Sequence, residues 1–393
     1  MIKLPLLQLN TKHNVKPSIC LNNRESTPIQ RSCQYNLKKV SVLEGIMKTR
    51  NYYFDNAKFI LIFFVVFAHF LTSFIEDNET IYTIYKVIYT FHMPAFILVS
   101  GFFAKGFHQK GYVKKITKKL IFPYLIFQII YSVFYYFLYD QSEITLDPFN
   151  PQWSLWFLIS LFCWNLMLLL FAKYKAVISI TVSLAIGLLA GYTDWVSNYL
   201  SLSRTLVFFP FFLLGYYLKK EYIYSLFKIR FRLLALAVFV IVFAGFYFYP
   251  DISHKWLLGS NSYEELGATS VAAMFKRLGF YLLSVLMVVS VMGFIPRKQY
   301  FFTNLGKNTL YIYLLHGFFV KVFRESQIQN YFKNPEHFIL LAGISLLLTL
   351  LLSDKVTISF TQPLIELKLS QLKLLTARIV SMIKFYRKKF QSR

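Results

Sequence analysis

Runs of about 20 mostly apolar residues recur between residues 55 and 358 of this 393-residue chain. A segment of that length spans the roughly 30 Å hydrocarbon core of a bilayer as an α-helix. Backbone polar groups have no water to bond there, so only helices and closed barrels are viable. About ten runs are legible, at roughly 55–75, 81–104, 117–139, 153–172, 176–192, 204–218, 231–249, 270–294, 308–323 and 336–358. The expected fold is therefore all-α, a polytopic integral membrane bundle of about ten transmembrane helices. Charged residues make up only 16% of the chain, against about a quarter in soluble domains.

The net charge of +25 raises the possibility of a nucleic-acid partner, but the placement of the charge argues against one. The basic residues lie between apolar runs, and no single amphipathic domain gathers them. The connections alternate in sign. Glu76, Asp77 and Glu79 are followed by Lys105, Lys110, Lys114, Lys115, Lys118 and Lys119, and these by Asp140, Glu143 and Asp147. Lysine-rich loops mark the cytoplasmic side, which places both termini inside. The connection at 321–336 breaks the pattern, because Lys321, Arg324 and Lys333 would lie outside. Three cysteines (Cys20, Cys33, Cys163) have neither metal-ligand nor disulfide spacing.

Three regions are expected. Residues 1–47 form a basic N-terminal extension, either disordered or an over-extended start, since Met47-Lys48-Thr49-Arg50 directly precedes the first span. Residues 48–360 form the transmembrane domain. Residues 361–393 form a basic amphipathic tail suited to an anionic lipid surface.

Ionisable residues inside spans are costly and mark function by default. The first span carries Asp55, Lys58 and His69. At about 100° per residue, Asp55 and Lys58 share a helix face, and His69 returns to within roughly 20° of Lys58. Lys58 and His69 are separated by about 16 Å of helix rise. His92 lies midway along the second span beside Pro94, and His316 lies about two and a half turns into the ninth. Imidazoles from three helices at similar depth suit proton transfer near neutral pH. Neither carboxylate nor cysteine accompanies them at that depth, so no metal is expected.

The remaining candidates are less specific. Lys105, Lys118 and Lys119 can meet anionic lipid headgroups or the phosphates of a nucleotide-containing donor. Trp153 and Trp156 open the fourth span as an interfacial belt or a sugar-stacking platform. Arg204 at the start of the sixth span is open in the same way. Lys276 and Arg277 lie inside the eighth span, where charge implies a polar cavity. There is no P-loop, no GxGxxG, no GxSxG elbow and no HExxH. Their absence argues against an ATP-driven pump, a dinucleotide enzyme, a conventional hydrolase or an intramembrane zinc protease.

Together these residues resemble the membrane-bound acyltransferase 3 family, in particular its fucose 4-O-acetylase-like bacterial branch. The resemblance covers about 48–358. It rests on Phe54-Asp55-x-x-Lys58 followed ten residues later by His69, and on Phe91-His92-Met93-Pro94 leading to Ser100-Gly101. It rests further on Leu120-Ile121-Phe122-Pro123-Tyr124, Trp156-Phe157-Leu158, and Leu305-Gly306-Lys307 running on to His316. The resemblance implies a multi-pass enzyme of the bacterial plasma membrane. It would transfer an acetyl group from cytoplasmic acetyl-CoA to a cell-envelope carbohydrate or lipid-linked sugar, beside envelope-polysaccharide biosynthesis proteins. The family's catalytic base and histidine map onto Lys58 and His69, and its motif acid onto Asp55. Many members have Arg where this chain has Lys58, which keeps the charge but loses the bidentate fork. Some members also carry an extracytoplasmic SGNH-type domain that has no counterpart here. His69 would act as a general base or as an acyl carrier, with His92 and His316 binding substrate or relaying protons. An exporter of polysaccharide or lipid-linked sugar, with a polar path but no CoA site, is the alternative.

Overall fold

The computed structural model describes residues 52–194, 199–332 and 337–367. The N-terminal extension and the tail beyond residue 367 lie outside these residues. Among the described residues there is no strand. The principal helices are α1 (Tyr52–Phe74), α2 (Glu79–Phe103), α3 (Tyr112–Leu138), α4 (Trp153–Phe171), α5 (Ala176–Leu189), α6 (Leu202–Tyr217), α7 (Ile229–Phe248), α8 (Val271–Phe294), α9 (Thr309–Glu325), α10 (His337–Ser353) and α11 (Lys355–Ile365).

Every apolar run legible in the sequence folds as helix. Seven of the helices are long and apolar enough on their own to cross a membrane, and the α10–α11 pair makes up to eight. The shortfall from ten has a geometric cause. The 14 residues of α5 and the 17 of α9 rise only about 21 and 25 Å, short of a full hydrocarbon core. The tenth run, expected as one helix over 336–358, is instead bent by 61° between α10 and α11. Asp354 causes the break: its side chain caps the new helix by accepting from Val356 N–H at 3.1 Å.

The outside of the bundle is apolar. On α7 only Ala235 and Phe246 are buried, while Leu233, Leu234, Leu236, Val240 and Ile241 are exposed. In water such a face would be an aggregation surface; against acyl chains it is the stable arrangement. The chain is a multi-pass membrane protein.

α1 is the central helix. Ala57, Leu61, Val66 and Ala68 are fully buried. Its rings meet α2 (Phe64–Phe91), α9 (Phe70–Phe323) and α10 (Phe74–Phe338), and Tyr53 Oη donates to Met292 O of α8 at 2.8 Å. α2 and α6 approach backbone to backbone. A Cβ at Gly101 would fall on the carbonyl of Phe212, and one at Gly215 on the carbonyl of Leu98. Only glycine at both positions lets the two helices close to this distance.

The fully buried Lys86 of α2 holds α7 in place. Its Nζ donates to Phe246 O at 3.3 Å and Pro250 O at 3.2 Å, and lies over the rings of Tyr82 and Phe246. The last carbonyls of a helix lack internal partners and carry the negative end of its dipole. A buried ammonium there satisfies both needs.

Candidate active site

Two of the three imidazoles expected at similar depth meet inside the bundle, and the third, His92, stands further off. The rings of His69 and His316 stack with centroids 5.5 Å apart, and Trp153 touches both, at 4.5 Å from His69 and 5.3 Å from His316. His92 is within electrostatic reach of His69. Two of the rings have their tautomer set by the helix that carries them. His92 Nδ1–H donates to Ile88 O at 2.8 Å, and His316 Nδ1–H donates to Ile312 O at 3.0 Å. Each bond runs one turn back along its own helix and leaves Nε2 as a bare acceptor in the neutral ring. His316 Nε2 is buried and has no partner among the described residues. His69 differs from both. It is partly accessible, and its nitrogens form no hydrogen bond among the described residues, so they remain available to a substrate.

Trp153 reaches this cluster because a loop is fastened over the bundle. Gln128 of α3 is buried; its Nε2 donates to Asp147 O and Asn150 O, and its Oε1 accepts from Gln152 N–H. Tyr124 Oη donates to Pro148 O at 2.6 Å, and Tyr313 Oη donates to the Ser154 carbonyl. Trp153 then takes φ +39°, a conformation costly for a bulky side chain and held only when its surroundings over-determine it. α9 has a glycine where the ring lands. A Cβ at Gly317 would lie 2.5 Å from Trp153 Cζ3 and fall on the Tyr131 hydroxyl.

The other pole of the site is the start of α1. Lys58 Nζ and Asp55 Oδ1 form an ion pair at 2.7 Å, three residues apart, with Lys58 also 5.3 Å from the Phe103 ring. Such a pair stabilises a helix by only a few tenths of a kcal/mol, so it orients the ammonium more than it holds the fold. The connection into α9 presses on this turn. A Cβ at Gly306 would lie 2.7 Å from the Asp55 carbonyl carbon. Beneath it, buried Asn56 donates to Pro296 O at 2.8 Å and Lys298 O at 2.9 Å, and accepts from Thr303 Oγ1 at 2.6 Å. α1 and α9 therefore start at one end, and His69 and His316 stand together about 16 Å further along.

The remaining candidates divide. Arg204 lies over the Trp156 ring at 5.2 Å and within electrostatic reach of Tyr89 and Tyr313. It borders the histidine cluster, because Tyr313 is 6.1 Å from His316 and Tyr89 is 4.5 Å from His92. Lys118 and Lys119 are exposed on a π-turn, Thr117–Ile121, just before Pro123. Lys105 Nζ already donates to Leu218 O at 2.6 Å. Lys276 and buried Arg277 do not join the cluster. Lys276 lies over Trp256 at 4.6 Å, and Arg277 donates to Asn261 O at 2.7 Å and stacks on Tyr263 at 4.3 Å. Their hydrogen-bond and ring partners tie down the 256–263 connection and are not shared with His69, Trp153 or His316.

Several residues that build the site stand out only weakly in the sequence. Tyr124, Gln128 and Tyr131 recur at four and three residues along an apolar run, a polar stripe that helical periodicity exposes. Asn56 is a fourth polar residue in the opening stretch of α1. Lys321, whose Nζ is 5.5 Å from the Trp153 ring, was visible only as a break in the loop-charge pattern.

Fold and site together define a membrane-embedded helical enzyme with an imidazole cluster inside the bundle. A family model described as an acyltransferase domain matches residues 51–354. The chain belongs to the acyltransferase 3 family and is a membrane acyltransferase, moving groups other than aminoacyl groups. No curated protein and no solved structure matches it.

Proposed function

We propose that this acyltransferase is an O-acetyltransferase of the fucose 4-O-acetylase-like branch. Its donor is acetyl-CoA, its acceptor a hydroxyl of a cell-envelope carbohydrate or lipid-linked sugar, and its location the bacterial plasma membrane. The observation that carries the reading is the pairing of His69 with His316 under Trp153, at the far end of α1 from the Asp55–Lys58 pair.

In this reading the Asp55 end faces the cytoplasm. Lys58, fixed by Asp55, meets a phosphate of the donor as a point charge, with Lys118 and Lys119 nearby in the approach. The pantetheine arm extends along α1 and brings the thioester to His69. A sugar stacks on Trp153 with one hydroxyl toward His69. His69 takes the hydroxyl proton as the oxygen attacks the thioester carbonyl. A carbon–oxygen bond forms, the carbon–sulfur bond breaks, and the CoA thiolate leaves and is protonated. The alternative order, in which a His69 nitrogen first takes the acetyl group and then yields it to the hydroxyl, uses the same geometry. His316, with its bare Nε2 one ring away, suits the role of proton relay.

The test is thiol release from acetyl-CoA by the purified protein, together with acetyl content of envelope polysaccharide in cells carrying variants. Replacement of His69 by Ala should abolish both while leaving thermal melting unchanged. Full activity in that variant would remove the reading.

A further inference from the structure

Beyond His316, toward the end of α9 away from Asp55, stand two cations that the reaction above does not use. Lys321 Nζ lies over the rings of Tyr135 (5.3 Å), Tyr139 (5.7 Å) and Trp153 (5.5 Å). Arg324, three residues on and so on the same helix face, is within electrostatic reach of His69, Tyr85, Tyr89 and Tyr135. Both side chains are half-buried. Among the described residues neither forms a hydrogen bond or an ion pair, and the ion pair found there is Asp55–Lys58. The acid within reach of Lys321 is Glu325, which is exposed and beyond ion-pair distance. Glu76, Asp77, Glu79, Asp140 and Glu143 at the same end are exposed as well.

Half-buried cations without a counter-charge are unfavourable unless something anionic completes them. Two polar atoms beside them are also incomplete. His316 Nε2 and Tyr135 Oη are buried and have no partner among the described residues. The Tyr135 ring lies under Lys321 and the His316 ring against Trp153. An acceptor, a hydroxyl and two cations, all without a hydrogen-bond or ion-pair partner among the described residues, thus gather with an aromatic platform around Trp153 and His69.

We propose that Lys321 and Arg324 form an acceptor subsite for an anionic sugar. The sugar ring lies on Trp153, its carboxylate or phosphate is held by Lys321 and Arg324, and a hydroxyl is presented to His69. The assignment rests on the acyl-transfer reading for the identity of that hydroxyl, but the anion site stands on its own geometry. A charge-assisted contact discriminates a charged from a neutral ligand by about tenfold or more.

The experiment is calorimetric titration of the full-length protein in neutral detergent with octyl glucuronide, glucose 1-phosphate and octyl glucoside. Wild-type protein should bind octyl glucuronide at least about tenfold more tightly than octyl glucoside. Lys321→Gln and Arg324→Gln should each shrink that advantage severalfold, and Lys321→Arg should keep it. The ratio of the two affinities is unaffected by a uniform loss of folded protein. Glucose 1-phosphate binding in place of the glucuronide supports the same site with phosphate as its anion. Equal binding of glucuronide and glucoside with no binding of glucose 1-phosphate, or an advantage unchanged in the double Gln variant, overturns the proposal. So does loss of the glucuronide when phosphatidylglycerol is added to the micelles, which would assign the cations to lipid. Thiol release from acetyl-CoA is measured in parallel. A charged-acceptor preference in binding without thiol release would support the anion site and remove the acyl-transfer reading.

Discussion

Glycine in the middle of a helix ordinarily weakens it, and replacement by alanine gains about 0.5–1 kcal/mol. At Gly317 the sign should reverse. The new Cβ would lie 2.5 Å from Trp153 Cζ3 and 2.9 Å from Cε3, and would fall on the Tyr131 hydroxyl. Ordinary carbon contacts are about 3.5–4.0 Å, so the Trp153 ring must retreat by roughly 1 Å. Overpacking of this kind costs about 1–3 kcal/mol. Displacing Tyr131 also weakens its bond to Leu314 O, 2.9 Å in the wild type, for about 1 kcal/mol more. The net effect of Gly317→Ala is a loss of about 1–3 kcal/mol after the helix gain is subtracted. The activity loss should be larger than the stability loss, because Trp153 touches both His69 and His316. A displacement of about 1 Å in a positioning group costs on the order of 100-fold in rate. Gly343 supplies the control: nothing lies within 4 Å of a Cβ built there, so Gly343→Ala should melt at the wild-type temperature or higher. The assay is thermal melting followed by tryptophan fluorescence, with thiol release from acetyl-CoA measured on the same samples. If Gly317→Ala behaves like Gly343→Ala in both, the placement of Trp153 against α9 is wrong.

Asn56→Ala should destabilise by about 2 kcal/mol or more, because the Pro296 and Lys298 carbonyls and the Thr303 hydroxyl lose their shared partner; a melting temperature within a degree or so of wild type would contradict this. Lys86→Met keeps the apolar stem but leaves the end of α7 uncapped, and should cost about 2 kcal/mol, with hydrogen exchange rising first around residues 246–250. Asp147 predicts a pH dependence. The Phe149 N–H, then the Asn150 amide, hold its carboxyl below the usual carboxylate range. A lowered value means its contribution is complete above the ordinary carboxylate pKa of about 4 and fades only as pH falls through the depressed one. Fluorescence from the Trp153 loop should therefore stay flat down to about pH 4 and change only in stronger acid.

The helices were legible because apolar length is a strong signal, and each of the ten runs folds as helix. What the pattern could not show was the break at Asp354, where one capping side chain outweighs an apolar run, or the modest rise of α5 and α9. The histidine cluster was legible in part. Three imidazoles at similar depth on separate helices were readable from spacing alone; His69 and His316 meet, and His92 lies within electrostatic reach of His69. By the same logic of charge inside a span, Lys276 and Arg277 read as facing a polar cavity. Their partners, Trp256, Asn261 and Tyr263, come from a loop whose return over α8 no periodicity encodes. The tautomers of His92 and His316 are likewise products of the fold, since each is fixed by a carbonyl of its own helix.

The backbone contact between α2 and α6 has a mechanical consequence. Two helices touching carbonyl to glycine at both Gly101 and Gly215 cannot slide by a residue or rotate without collision. They move as one body, a stator that carries His92 on α2 and Arg204 on α6. The spacing between His92 and Arg204 is therefore set by two glycines that touch neither residue.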